Sequence, residues 1–525
     1  MKADVSSGVR SLEPQYYFGL TVGSGNNCFF LNDEKIVYRA AGVIVVHDLL
    51  NHSQQYVYLT DSQKTITTMD LNHGKNFVAV AESGKRPTAS VYDLVKSKRI
   101  RHLTLPYVTE ATGFVMIKFS HDDVYLAALT NKPDFVMYYY EWRKSKIVSH
   151  LRVVHLPNSV AIVNDMVLNP GNNKLCCFVG KGLFRSMIMG EVVWKQYGFY
   201  KANKYNFTSA CWLNDERLIA GTSEGQLFLF SKAELKAIYN VETLLKFDPR
   251  LTIDNPYNVR PPSNKRNMEI RCCTPVDGGL LMVVGKDQVY YYEVSVKNDP
   301  PYKKHALLER HTVYELPKNK HLEQIVGNDG KLRVINTLCV SPSGEMLMCI
   351  TQRSLFYWAS IGIENIDKTV ELKLHGDDLH HGEVAGLSLS CWWPVFMTCG
   401  RLDRTVKLWN YVKRTLLFTE RYDEDVLNVS LHPTGQCALL AFTSKVEFCM
   451  VHADQLETRR HFNVTDCSLI QFSRSGQMFA LVDGLNVDIY SSITFEKLHR
   501  ISKHEKKVSC QEEGRGLWFA SIPQQ

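Results

Sequence analysis

No apolar run in this 525-residue chain approaches the roughly 20 residues that carry a helix across a bilayer. Its opening, MKADVSSGVRSLEPQ, has no apolar core of the secretory type, so no signal peptide is expected. Long apolar stripes with a 3.6-residue period are also missing, which argues against an α/β alternation. None of the 14 cysteines forms a C-x-x-C, and the adjacent pairs Cys176–Cys177 and Cys272–Cys273 lie in strand-like runs. Neighbours in a strand point to opposite faces, so these pairs suit neither a disulfide nor a chelate. Buried free thiols in a reducing, cytosolic compartment are the expectation.

Enzyme signatures are missing as well. There is no G-x-S-x-G, no H-E-x-x-H and no true phosphate-binding loop. GLLMVVGKD, Gly279 to Asp287, comes nearest to the last. It has one residue too many between its glycines, and Asp287 stands where magnesium needs a hydroxyl. HGDDLHHGE gathers His375, Asp377, Asp378, His380, His381 and Glu383, but His381 has a structural use below and the rest read as a linking loop. No catalytic residue, metal, cofactor or small-molecule substrate is therefore expected.

What is present is strand material. The chain is 45% hydrophobic and 22% charged, as a folded globular protein is, and its 25 Tyr and 24 Phe suit strands. A strand–turn–strand unit recurs about ten times, as in LNHGKNFVAVAE, FSHDDVYLAALT, LNPGNNKLCCFV, WLNDERLIAGT and LHPTGQCALLAF. Gly, Asn and Asp supply the turn conformations between apolar runs. A third, aromatic strand follows, such as ASVYDL or FVMYYYEW. The spacing of about 40 to 50 residues is that of four-stranded propeller blades, which bury their faces only by stacking.

One unit carries a sharper signature. In HHGEVAGLSLSCWWPVFMTCGRLDRTVKLWN, His381, Cys399, Asp403 and Trp409 fall at positions resembling the His–Ser/Thr–Asp–Trp hydrogen-bonded tetrad of WD repeats. Cys399 departs from that pattern, since a thiol is a weaker donor and acceptor than a hydroxyl. Alternation is expected to turn Thr398 to the other face. Arg404 and Lys407 read as turn and solvent-face positions.

The fold class is thus all-β, a WD-repeat β-propeller architecture. Seven units fit between residues 15 and 375, a complete seven-bladed ring with YYFGLTV from Tyr16 as a candidate closing strand. Residues 1–14 precede it. Three further units at 376–505 make an incomplete second propeller, because rings typically need about 4 to 8 blades. Residues 506–525 read as an irregular tail, so the chain is expected to end inside that propeller. Residues 246–267 and 296–329 read as exposed insertions.

The net charge of +7, from 61 basic and 54 acidic side chains, matters only where it clusters. Five clusters stand out: Lys96, Lys98, Arg99 and Arg101; Arg143, Lys144 and Lys146; Lys303 and Lys304; Lys413 and Arg414; Arg459 and Arg460. All follow a third strand, so all are expected in third-to-fourth-strand turns on one propeller face. Polar turns are commonly Lys-rich for solubility; a ring of positive potential on one face would in addition attract an acidic protein surface. Nucleic acid is not expected, because the aromatics lie on strands rather than among the basic turns.

From about Phe18 to His504 the chain resembles the N-terminal half of a ciliary WD-repeat family, cilia- and flagella-associated protein fifty-seven. NNCFFLNDEKIVY, VAVAESGKRPTASVYDL, NDERLIAGTSEGQLFLF and TCGRLDRTVKLWNY followed by LNVSLHPTGQ carry the resemblance. It implies a scaffold of the ciliary or flagellar axoneme, docked on the tubulin surface of doublet microtubules. It further implies a part in assembling or regulating inner dynein arms and ciliary motility. The family continues through a long coiled coil, which these 525 residues do not contain. The other reading is a general cytosolic WD-repeat adaptor for a ubiquitin-ligase or RNA-processing complex.

Overall fold

The computed structural model is built almost wholly of short antiparallel strands. Residues 1–14, 22–27, 41, 60–64, 85–86, 107–110, 155–161, 192, 200–203, 242–267, 297–305, 318–333, 353–354, 363–367, 377, 503–509, 515–516 and 522–525 lie outside the described residues. The insertion 246–267, most of 296–329, and Lys303 and Lys304 fall among them.

Contacts divide the chain into two compact units, a first of Met1–Lys318 and Arg333–His375 and a second that takes in Gly376–Gln525. In the first, seven sheets are described, at 28–58, 65–104, 114–152, 163–197, 207–240, 270–315 and 335–374. Each is a meander of four strands in chain order, the arrangement of a propeller blade; the sixth adds a short parallel strand, Thr369–Glu371. The pattern is what the turns dictate. The Asn72 side chain accepts the backbone N–H of Asn76 and Phe77, and Asn214 accepts that of Glu216 and Arg217, closing the first hairpins of their sheets. A bulge recurs near the start of the first strand, as at Ile66/Thr68, Val163/Asp165 and Phe207/Ser209, and sharpens the twist of each sheet.

The core lies between sheets. Tyr38 and Cys28 of the first sheet pack in one cluster with Cys339 and Met348 of the seventh, so the last sheet meets the first. Polar staples reinforce the stacking. The Phe119 N–H donates to Asp70 on the preceding sheet at 2.8 Å, and the Ala210 N–H donates to Asp165 at 3.1 Å. At the seam the Ser343 N–H donates to Asp33 at 3.1 Å.

Two expectations are corrected here. The run from Tyr16 is no closing strand: Gly19 takes φ 98, and the stretch is held instead by Gln54, whose amide pairs with the Tyr17 backbone. The seventh sheet is completed by Lys373–Leu374. The tail is not irregular either, since Cys510–Gly514 pairs with Leu517–Ser521 as a hairpin.

The second unit holds three four-stranded sheets, at 384–421, 426–462 and 470–501, besides that hairpin. Ser388 and Ser430 act there as the staples, accepting the Leu431 and Phe472 N–H. Leu387 and Leu389 of its first strand are more than half exposed.

Candidate docking surface

In the sheet at 384–421 the tetrad exists, but it is not the one the spacing suggested. His380, not His381, places Nδ1 3.1 Å from Asp403 Oδ2 and Nε2 2.8 Å from Thr398 Oγ1. The Trp409 indole N–H then donates to the same Thr398 oxygen at 2.8 Å. With the ring proton on Nδ1, each donor in the chain Trp409–Thr398–His380–Asp403 meets an acceptor. Register explains the correction: Phe396 pairs with Trp409 and Thr398 with Lys407, so Thr398 shares the face of Trp409. Cys399 faces the apolar cluster of Val406 and Leu408 instead. Burial pushes its thiol up to about 12. Burial also pushes the Asp403 carboxyl up, but the hydrogen bonds from His380 and the His381 backbone outweigh it and hold it below its ordinary value. An added Cβ at Gly400 would stand 2.1 Å from Asp403 Oδ1, so glycine here is what lets the network close over the strand.

Lys407 is not on the solvent face. It is buried on the tetrad side, 3.1 Å from Asp378 and 3.3 Å from the Thr419 hydroxyl. His381 pairs with the same Asp378 at 3.4 Å. Arg404 does lie in a turn, at φ 52, and pairs with Asp425 at 2.8 Å.

The basic clusters are also placed differently from their expected turns. Asp93 accepts the Val95 and Lys96 N–H and ends the turn early, so Lys98, Arg99 and Arg101 lie in the outer strand Lys98–Thr104. Arg459 and Arg460 likewise sit inside Leu456–Phe462, beside Glu457 and over the Phe495 ring. Lys413 and Arg414 do occupy a turn, closed by Asn410.

The first two clusters adjoin. Arg101 Nε donates to the Arg143 carbonyl at 2.7 Å, across from the second sheet to the third. Arg143 and Lys144 sit on the short 3₁₀ turn Trp142–Lys144, which the left-handed Ser145 ends. Trp142 anchors that turn, buried and donating to the Asp123 carbonyl at 2.8 Å, while the Arg143 guanidinium lies 5.0 Å from its ring. Lys96, Lys98, Arg99, Arg101, Arg143, Lys144 and Lys146 are all exposed, and Lys144 pairs with Glu141 at 2.6 Å. The result is one positive patch on the rim of two neighbouring sheets.

Elsewhere in the first unit, a cavity of about 610 Å³ is lined by first strands, with Lys118, Asp165 and Cys272 on its wall. Burial raises Asp165 and Asp70 above the ordinary carboxyl range, with Lys118 opposing the shift. His375 turns away from its sequence neighbours, toward His47 and His52. Burial holds the His47 imidazole down at about 4 and lowers that of His375.

No protein-family model matches the chain. Sequence comparison does find relatives. Cilia- and flagella-associated protein 57 of Mus musculus is 24% identical over 94% of this chain, and protein 57 A of Tetrahymena thermophila is 21% identical over 97%. The chain is similar to cilia- and flagella-associated protein 57 relatives over nearly its whole length. It spans about 40% of the length of these protein 57 relatives. The 77 kDa echinoderm microtubule-associated protein of Strongylocentrotus purpuratus is 21% identical over 92% of this chain and 64% of its own length. Among solved structures, the Cps50 (Swd1) β-propeller domain of Myceliophteria thermophila covers 72% of this chain and 93% of its own, at 12% identity and a TM-score of 0.36. The repeated four-stranded meanders make this chain a WD-type β-propeller protein.

Proposed function

We propose that the chain is a non-enzymatic scaffold of the ciliary or flagellar axoneme. It docks on doublet microtubules and supports the assembly or regulation of inner dynein arms. The first unit acts as a closed seven-bladed ring and the second as part of a further propeller.

The adjoining of Arg101 and Arg143 carries this reading, because it turns two separate basic clusters into one exposed patch on a rigid rim. Microtubule surfaces are acidic, and seven clustered cations attract them over about 8 Å at physiological salt. The names of the relatives point the same way: some are cilia- and flagella-associated, another microtubule-associated. They support a place in the cilium or flagellum. Lys413, Arg414, Arg459 and Arg460 belong to the second unit and form no part of the patch as proposed. Microtubule co-sedimentation across a salt series tests the docking, with Lys98→Glu, Arg99→Glu, Lys144→Glu and Lys146→Glu combined as the charge-reversed comparison.

A further inference from the structure

Three imidazoles from two distant parts of the chain converge where the last sheet of the first unit meets its first. His47 is on the third strand of the first sheet, Val43–Asp48, and His52 sits in the turn that follows, at φ 49. His375 comes directly after Lys373–Leu374, the strand that completes the seventh sheet. One ring nitrogen of each lies within 4.8 Å of the other two. The ring centroids stand 6.2 Å apart for His47–His52, 6.3 Å for His47–His375 and 6.1 Å for His52–His375, a nearly equilateral triangle. His47 is only 7% exposed. Its Nε2 and that of His375 are buried and meet no hydrogen-bond partner among the described residues, an arrangement that is costly unless something completes it.

We propose that His47, His52 and His375 form a binding site for a divalent transition metal of the zinc class. The metal fastens the end of the seventh sheet to the first. Tetrahedral nitrogen ligands at about 2.0–2.1 Å from the ion stand about 3.3–3.4 Å from one another. The ring nitrogens therefore draw in by about 1.5 Å at most, and His52, exposed in its turn, moves most freely. A set of three imidazoles selects zinc, copper or nickel over calcium or magnesium, and it leaves the fourth position to water.

Gln54 sets the proton of His47. Its amide is oriented by the Tyr17 backbone, N–H to Oε1 at 2.9 Å and Nε2–H to the carbonyl at 3.1 Å, which turns Nε2 toward His47 Nδ1 at 3.2 Å. Without metal the ring proton therefore resides on Nε2. The site is independent of the microtubule reading and stands or falls on its own ligands.

The test uses the full chain, stripped with a chelator and titrated with cobalt(II) and then zinc. One equivalent should bind, with a tetrahedral cobalt spectrum and no thiolate charge-transfer band. X-ray absorption of the zinc form should show a nitrogen/oxygen shell at about 2.0–2.1 Å. His52→Asn suits the left-handed turn and leaves the fold intact by circular dichroism. It should weaken binding by more than about 10-fold, and His375→Gln should do the same. A wild-type chain that gives no tetrahedral cobalt spectrum overturns the proposal. So does an unchanged equivalent in folded His52→Asn, or a shell containing sulfur.

Discussion

The Trp409 indole N–H donates to Thr398 Oγ1 at 2.8 Å, tying the third strand of the sheet at 384–421 to its second. The same oxygen meets His380 Nε2 at 2.8 Å, so a single hydroxyl satisfies two buried nitrogens. Thr398→Val keeps the shape and removes that hydroxyl. It should cost about 1–3 kcal/mol, because both nitrogens lose their partner. Cys399→Ala, one residue along, removes only a packed sulfur and should cost about 1 kcal/mol. Denaturant midpoints followed by tryptophan fluorescence order the two variants. The reverse order would return the network to Cys399.

Gly400→Ala should be as damaging as losing the hydroxyl. Its Cβ would lie 2.6 Å from His380 Nδ1 as well as 2.1 Å from Asp403, and forcing the two apart costs about 1–3 kcal/mol. Gly362→Ala, where no atom of the described residues lies within 4 Å of the added Cβ, should leave the melting temperature nearly unchanged. Equal melting temperatures for the two variants would contradict the packing described.

Acid should expose the Asp378–Lys407 pair. Burial pushes the Asp378 carboxyl up, but the His381 hydrogen bond and the Lys407 charge outweigh it and hold it at about 2. A carboxyl depressed in the folded state contributes its stability in full above its unfolded value, near 4, and loses it as pH falls from there through about 2. Lys407→Met removes the cation, lets the carboxyl rise and should move acid unfolding to higher pH. Tryptophan fluorescence against pH measures this. Coincident curves for the two chains would show that the pair contributes nothing.

Thiol labelling should separate one cysteine from the rest. Among the described cysteines only Cys391 is exposed, while burial pushes Cys177, Cys399 and Cys449 up to about 12. In the native chain a maleimide should modify Cys391 rapidly and these three only on unfolding. Peptide mapping by mass spectrometry reads the sites. Rapid native labelling of Cys399 would contradict its place in the apolar cluster.

The repeat was legible in the sequence because its turns are chemically explicit. Asn72 and Asn214 announce the hairpins they close, and apolar runs flank them. What parity alone could not resolve was which of two neighbours faces inward. His380 and His381, like Thr398 and Cys399, are adjacent, and the choice between them rests on the pairing of Phe396 with Trp409. The basic clusters were legible as charge but not as position. Their turn ends where Asp93 caps it, so the following Lys98, Arg99 and Arg101 extend along a strand. The meeting of His47 and His52 with His375 had no local signal at all, since only stacking of the seventh sheet on the first brings them together.

Docking through the rim patch is tested most directly by pelleting the chain with microtubules across a salt series. The expected result is that wild type pellets at low salt and is released as salt rises, while the chain carrying Lys98→Glu, Arg99→Glu, Lys144→Glu and Lys146→Glu stays in the supernatant though folded. Equal pelleting of both chains, or failure of the folded wild type to pellet at any salt concentration, would contradict it.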